Sequence, residues 1–69
     1  MRFTQHALRR MAQYRLRRED ILRVIEHADV TIGVTAVEYD AIIGGRPIHV
    51  VVVRGSDPPL VITLYPRNR

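Results

Sequence analysis

The chain has 69 residues, eleven basic against seven acidic side chains, and no cysteine or tryptophan. That length fits one small domain over residues 1–69 and excludes a two-domain enzyme; a chain this short buries only roughly 60 % of its unfolded surface. Without cysteine it has neither disulfide staples nor thiolate metal sites, so oligomerisation, a homodimer in the simplest case, is the expected extra source of stability. The 46 % apolar content argues for a folded domain and against a disordered tail.

All eleven basic residues are arginine, and their placement is uneven. Arg2, Arg9, Arg10, Arg15, Arg17 and Arg18 fall in the first eighteen residues, which hold no Asp or Glu and so carry +6; the remainder carries −2. Codon preference in a GC-rich genome accounts for arginine over lysine but not for the clustering. The asymmetry favours a polyanionic partner: nucleic acid, anionic membrane or an acidic protein.

Helical spacing runs from Thr4 to about Ala28. Thr4 is an N-cap by residue type, its hydroxyl able to accept from a free N–H of the first turn. Ala7, Leu8, Met11 and Tyr14 recur at three- and four-residue intervals as an apolar stripe, opposed by His6, Arg10, Gln13 and Arg17. A second helix uses Ile21, Leu22, Val24, Ile25 and Ala28, with Glu19 and Asp20 at its positive pole and His27 near the other. The change of stripe phase places a break between Tyr14 and Arg17.

After Asp29 the composition turns β-branched. One strand is expected within Thr31 to Ile43, a Gly44-Gly45 hairpin turn, and a second strand from Arg46 to Arg54. Pro47 argues for an edge or bulge there. Gly55 to Pro59 makes a second turn, Leu60 to Tyr65 a third strand, and Pro66 its stop, with residues 67–69 as a fraying tail. The predicted fold is α+β: two N-terminal helices packed on a three-stranded antiparallel sheet, α-α-β-β-β. The N-terminus lacks a signal-length apolar core, and the longest apolar run, Val50 to Val53, is strand-sized. A cytoplasmic location with no membrane contact is the expectation.

The chemical inventory is short. His6, His27 and His49 fall on three different elements without paired spacing, so no metal and no cofactor are expected. Gly44-Gly45 precedes a strand and is no phosphate loop; Ser56, the only serine, sits in a proline-rich turn. His6 and Arg10, four apart on one helix, can reach a single bound group. An imidazole moves a proton to or from a ribose 2′-hydroxyl or a leaving 5′-oxygen, and a guanidinium holds the phosphate and the charge that develops on it. A solvated helix face has the same appearance.

On the strands, Tyr65 shares a face with Thr63, and Tyr39 lies opposite Glu38 and Asp40. Either tyrosine could stack on a base or supply a hydroxyl, or simply pack at the core rim. His49 reads as a strand-surface residue. Arg46 and Arg54 bracket the second strand, where they extend a phosphate track or protect an edge.

Thr4-x-His6-Ala7-x-x-Arg10-Met11, followed by Glu19-Asp20-Ile21 and a closing Val61-Ile62-Thr63-Leu64-Tyr65, resembles a family of small bacterial domains of unknown function. That family's pattern reads T-x-H-A-x-x-R-M-x-x-R-G-I-S-x-x-D-I and is grouped with the BrnT-like and RelE-like toxins of type II toxin–antitoxin systems. The resemblance spans nearly the whole chain. It implies a RelE-like fold, a ribonuclease acting on messenger RNA, and an antitoxin partner. His6 and Arg10 match the motif, and Thr63 matches the closing strand. Tyr14 stands where the family often has Arg, Arg15 where it usually has Gly, and Arg17 in place of the Ser cap.

The leading expectation is therefore a metal-free endoribonuclease toxin. His6 is base or acid, Arg10 the phosphate clamp, and Tyr65 or Tyr39 the auxiliary. Arg2, Arg9, Arg15, Arg17, Arg18, Arg46 and Arg54 are the RNA-steering and antitoxin-facing charges. The alternative is a non-catalytic basic module binding nucleic acid or an acidic protein, with His6 as a cap or network residue. A membrane-surface helix fits less well, because the apolar stripe is needed for so thin a core.

Overall fold

The computed structural model describes residues 1–67. Its first strand is two residues long: β1, Arg2–Phe3, pairs parallel with the last strand, in register Arg2–Leu60 and Phe3–Val61. Thr4 then turns the chain into helix α1, Gln5–Tyr14. Its Oγ1 accepts from the Ala7 amide at 3.1 Å and donates to the Ile62 carbonyl at 2.6 Å. One hydroxyl thus caps the helix and ties its start to the sheet.

Arg15 ends α1 in the left-handed region, φ 55°. The amide of Leu16 donates to the Met11 carbonyl and that of Arg15 to Ala12, the paired bonds of a Schellman ending. Leu16 is buried and Met11 packs against the core, which adds the apolar contact that accompanies this motif. Helix α2, Arg18–His27, begins after Arg17, whose amide donates to the Asp20 carboxylate at 2.8 Å. This is half of a capping box, since an arginine side chain offers no acceptor for the return bond.

Four further strands follow: β2 (Asp29–Ile32), β3 (Ala36–Ile43), β4 (Arg46–Val53) and β5 (Leu60–Pro66). The sheet order is β1-β5-β4-β3-β2, antiparallel except for the β1–β5 pair. The predicted three-stranded antiparallel sheet is therefore wrong: the sheet has five strands and is mixed, within an α+β architecture. Two features hid the extra strands. β1 is too short to show a period. The stretch read as one strand up to Ile43 is folded in half at residues 33–35, where Gly33 donates to the Ala36 carbonyl at 2.8 Å. A side-chain Cβ on Gly33 would meet that carbonyl oxygen at 2.9 Å, so the turn needs glycine.

The β3–β4 turn is as expected: Gly44 and Gly45 both have positive φ, 57° and 80°. Pro47 does not mark an edge, since β4 is the central strand. In a two-residue hairpin Ile43 and Arg46 exchange the flanking bonds, so the next pair, Ile42–Pro47, needs no donor from Pro47 toward β3. On its other side Pro47 lies at the end of the β5 ladder, where its carbonyl accepts from the Arg67 amide. Residues 68 and 69 of the expected fraying tail lie outside the described residues.

Both helices cover the same side of the sheet, α1 on β5 and α2 on β3 and β4. Ile21, Val24, Ile48, Val50, Val61 and Leu64 are fully buried between the layers. The residues alternating with them on β3, β4 and β5 form the open face of the sheet.

Candidate functional site

The first eighteen residues place a row of three polar side chains along α1. His6, Arg10 and Tyr14 are four apart, so each sits one turn above the last. Arg10 links them: its Nε donates to His6 Nε2 at 3.4 Å and its Nη1 to the Tyr14 hydroxyl at 2.9 Å. The guanidinium also lies 5.9 Å from the Tyr14 ring centroid. His6 is exposed, while Arg10 and Tyr14 are half-buried. At the helix's C-terminal end Arg46 donates to the Tyr14 carbonyl at 2.9 Å, satisfying one of the carbonyls that a helix terminus leaves free. The result is a partly fixed guanidinium beside an imidazole and a phenol, with no carboxylate earlier than Glu19 in the chain.

A second cluster lies on the open face. His49 of β4 is 3 % exposed although it faces away from the helices. Its Nδ1 lies 2.7 Å from Asp40 Oδ1, directly opposite on β3, and its Nε2 lies 2.8 Å from Glu38 Oε1. Each carboxylate has one ring nitrogen to itself. Tyr65, opposite His49 on β5, covers the ring at 5.0 Å between centroids, tilted by 36°. Arg67 donates to the same Asp40 oxygen at 3.1 Å. Among the described residues, no group of three His, Cys, Asp or Glu side chains is placed to hold a metal ion. No helix among them is long and apolar enough to cross a membrane.

A family described as a domain of unknown function, DUF4258, matches residues 3–66. The chain belongs to that family. No curated protein and no solved structure matches it.

Within this DUF4258 domain the residues singled out from sequence separate into two sets. His6 and Arg10 are brought together as expected, and Tyr14, read as a member of the apolar stripe, joins them. The signal for Tyr14 was its spacing of four from Arg10 on the same face. Tyr65 stands apart, on the opposite side of the sheet from α1, stacked on His49. Tyr39 pairs with Val50 and packs against the core on the helix side, which is its structural reading.

Of the arginines, Arg2, Arg9, Arg15 and Arg17 are exposed. Arg17 also lies 3.9 Å from Asp20, and Arg18 donates to the Met1 carbonyl and lies over the Phe3 ring. Arg46 adjoins the α1 row. Arg54 instead donates to the Gly33 carbonyl at the β2–β3 turn, so it holds a loop, and β4 is no edge to protect. Thr63 lies on the open face beside Val51. The surface reading of His49 is corrected: two carboxylates and a tyrosine ring bury it.

Proposed function

We propose that this DUF4258 domain is a metal-free endoribonuclease acting through the His6–Arg10–Tyr14 row. The observation that carries the reading is the shared guanidinium, which links an exposed imidazole to a half-buried phenol along one helix face. His6 Nε2, exchanging its long 3.4 Å bond from Arg10 for the ribose 2′-hydroxyl, takes that proton, and the oxygen attacks the adjacent phosphorus as the bond to the 5′-oxygen breaks. The leaving 5′-oxygen takes a proton from water or from the Tyr14 hydroxyl, which is then reprotonated by water, and a 2′,3′-cyclic phosphate remains. Arg10 keeps further N–H donors for the non-bridging oxygens, where charge develops. The Tyr14 hydroxyl accepts from Arg10, which leaves its own hydrogen free for the phosphate or the leaving group. The surrounding arginines draw RNA to the helix.

The proposal extends to a toxin role, resting only on the resemblance of the Thr4 to Ile21 pattern to a family grouped with type II toxins: the activity arrests growth, and a small acidic antitoxin covers the basic face. Both take place in the cytoplasm, where the RNA is. The test is cleavage of a short RNA in chelator, followed through cyclic-phosphate ends. His6→Ala and Arg10→Ala each lower the rate by about 10²-fold or more while the circular dichroism spectrum is unchanged. RNA binding without any cleavage, retained by both variants, replaces this reading with that of a non-catalytic basic module.

A further inference from the structure

β2 is an edge strand protected only by its shortness, four residues, and by the charge of Asp29 at its start. Among the described residues no strand pairs with its outer side, and Asp29-Val30-Thr31-Ile32 contains no lysine and no proline. Such devices keep natural edges from pairing with other chains. Its side chains alternate: Asp29 and Thr31 share the open face with Asp40 and Glu38, while Val30 and Ile32 share the helix side with Tyr39 and Val37. The helices do not reach that far. Val30 and Ile32 are 51 % and 66 % exposed, and Val34 in the adjoining turn is 90 % exposed. Three large apolar side chains at one edge mark an interaction surface rather than scattered exposure.

The backbone polarity is also defined. Because the Gly33 amide bonds to Ala36, alternation gives Thr31 and Asp29 the remaining bonds toward β3. The N–H and C=O groups of Val30 and Ile32 therefore point off the sheet.

We infer that β2 is a homodimer interface, with β2 of a second copy pairing antiparallel about a two-fold axis at Thr31. The occupant is a second copy because the strand is self-complementary in that register. Val30 faces Ile32 of the other copy, twice, and these pairs exchange the outward hydrogen bonds. Four apolar side chains meet on the helix side. On the open face Thr31 meets Thr31, a favourable cross-strand pair, and Asp29 falls opposite Gly33, so no like charges oppose. The two-fold operator is the commonest in soluble oligomers, and it uses one patch on both copies.

A second feature fits the same register. A groove of about 540 Å³ lies beside Asp29, its walls mixing apolar Ala41, Ile42 and Ile43 with charged Arg23, Asp40 and Arg67. Antiparallel pairing about Thr31 carries Val34 of the second copy past Asp29 to the mouth of that groove. The α1 helices, on β5 and three strands from β2, remain free at the two ends of a ten-stranded sheet. The dimer is thus independent of the proposed nuclease.

Sedimentation equilibrium tests the interface: the expected mass is twice the 8.0 kDa of the chain. Ile32→Lys, at a site with little core contact, returns the mass to that of one chain with an unchanged circular dichroism spectrum. Thr31→Cys introduces the only thiol. A non-hydrogen-bonded antiparallel pair sets its Cα atoms about 4.5 Å apart, within disulfide range, so oxidation yields a covalent dimer and Thr35→Cys does not. A single-chain mass at about 1 mM protein overturns the inference. So does a dimer that survives Ile32→Lys, or crosslinking of Thr31→Cys no faster than of Thr35→Cys.

Discussion

Arg15 is the one non-glycine residue with positive φ among those described, and its side chain is exposed. The left-handed region costs an L-residue about 1–2 kcal/mol, and the position is the C-terminal stop where glycine is favoured. The Gly at this place in the pattern the chain resembles has the same cause. Arg15→Gly is expected to stabilise the domain by about 0.5–1 kcal/mol, after the chain entropy of glycine is charged against the relief. In a domain of this length that raises Tm by roughly 2–8 °C, read by thermal or urea unfolding. An unchanged or lowered midpoint means that the Schellman turn carries no strain. Thr4 shows the converse. Its capping role was legible because a Thr just before an apolar period has one obvious use, whereas its bond to Ile62, 58 positions away, is a tertiary fact no local pattern contains. Tyr14 was legible as a helix-face residue but not as Arg10's partner, because half-buried tyrosine satisfies the stripe and the polar row at once.

At the scale of elements, both helices, the Gly-Gly hairpin and the last two strands follow from period and turn chemistry. The errors fall where those signals are silent. A two-residue strand has no period, and β1 exists because the parallel register with Leu60 and Val61 pulls the N-terminus onto the sheet. β2 and β3 read as one run because a single glycine, with no proline or asparagine beside it, separates them. His49 was misplaced for a related reason. Alternation with Ile48 and Val50 turns it away from the helices, but the cover there comes from Tyr65, Glu38 and Asp40 on two other strands. The fold at Gly33 is open to test. Gly33→Ala forces a Cβ against the Ala36 carbonyl oxygen, a backbone atom that cannot swing aside, and a displaced hairpin costs about 1–3 kcal/mol. Denaturant unfolding gives the loss. Hydrogen exchange should locate it first at the amides of residues 29–38. A neutral result would show that the β2–β3 turn opens without cost, and the edge strand with it.

Over the whole molecule the early arginines gather around one helix. Arg9, Arg10, Arg15 and Arg17 lie on or just after α1, which has no carboxylate of its own, while Glu19, Asp20 and Glu26 belong to α2 and Asp29, Glu38 and Asp40 to the open face. A polyanion that approaches along α1 therefore meets a helix face of one sign, which orients it before contact. This arrangement divides the arginines that sequence alone could not rank. Arg9 is exposed on α1, while Arg54 sits at the β2–β3 turn with its guanidinium on the Gly33 carbonyl. For single-stranded RNA each lost phosphate contact reduces the slope of log K against log salt by about 0.7. Arg9→Gln is therefore expected to flatten the slope by about that amount, and Arg54→Gln to leave it unchanged while loosening the turn. Fluorescence anisotropy of a labelled oligonucleotide across a potassium chloride series measures both. Equal losses from the two variants would mean that RNA lies along the strand ends rather than the helix face, and that the His6–Arg10–Tyr14 row proposed as catalytic lies on the wrong surface.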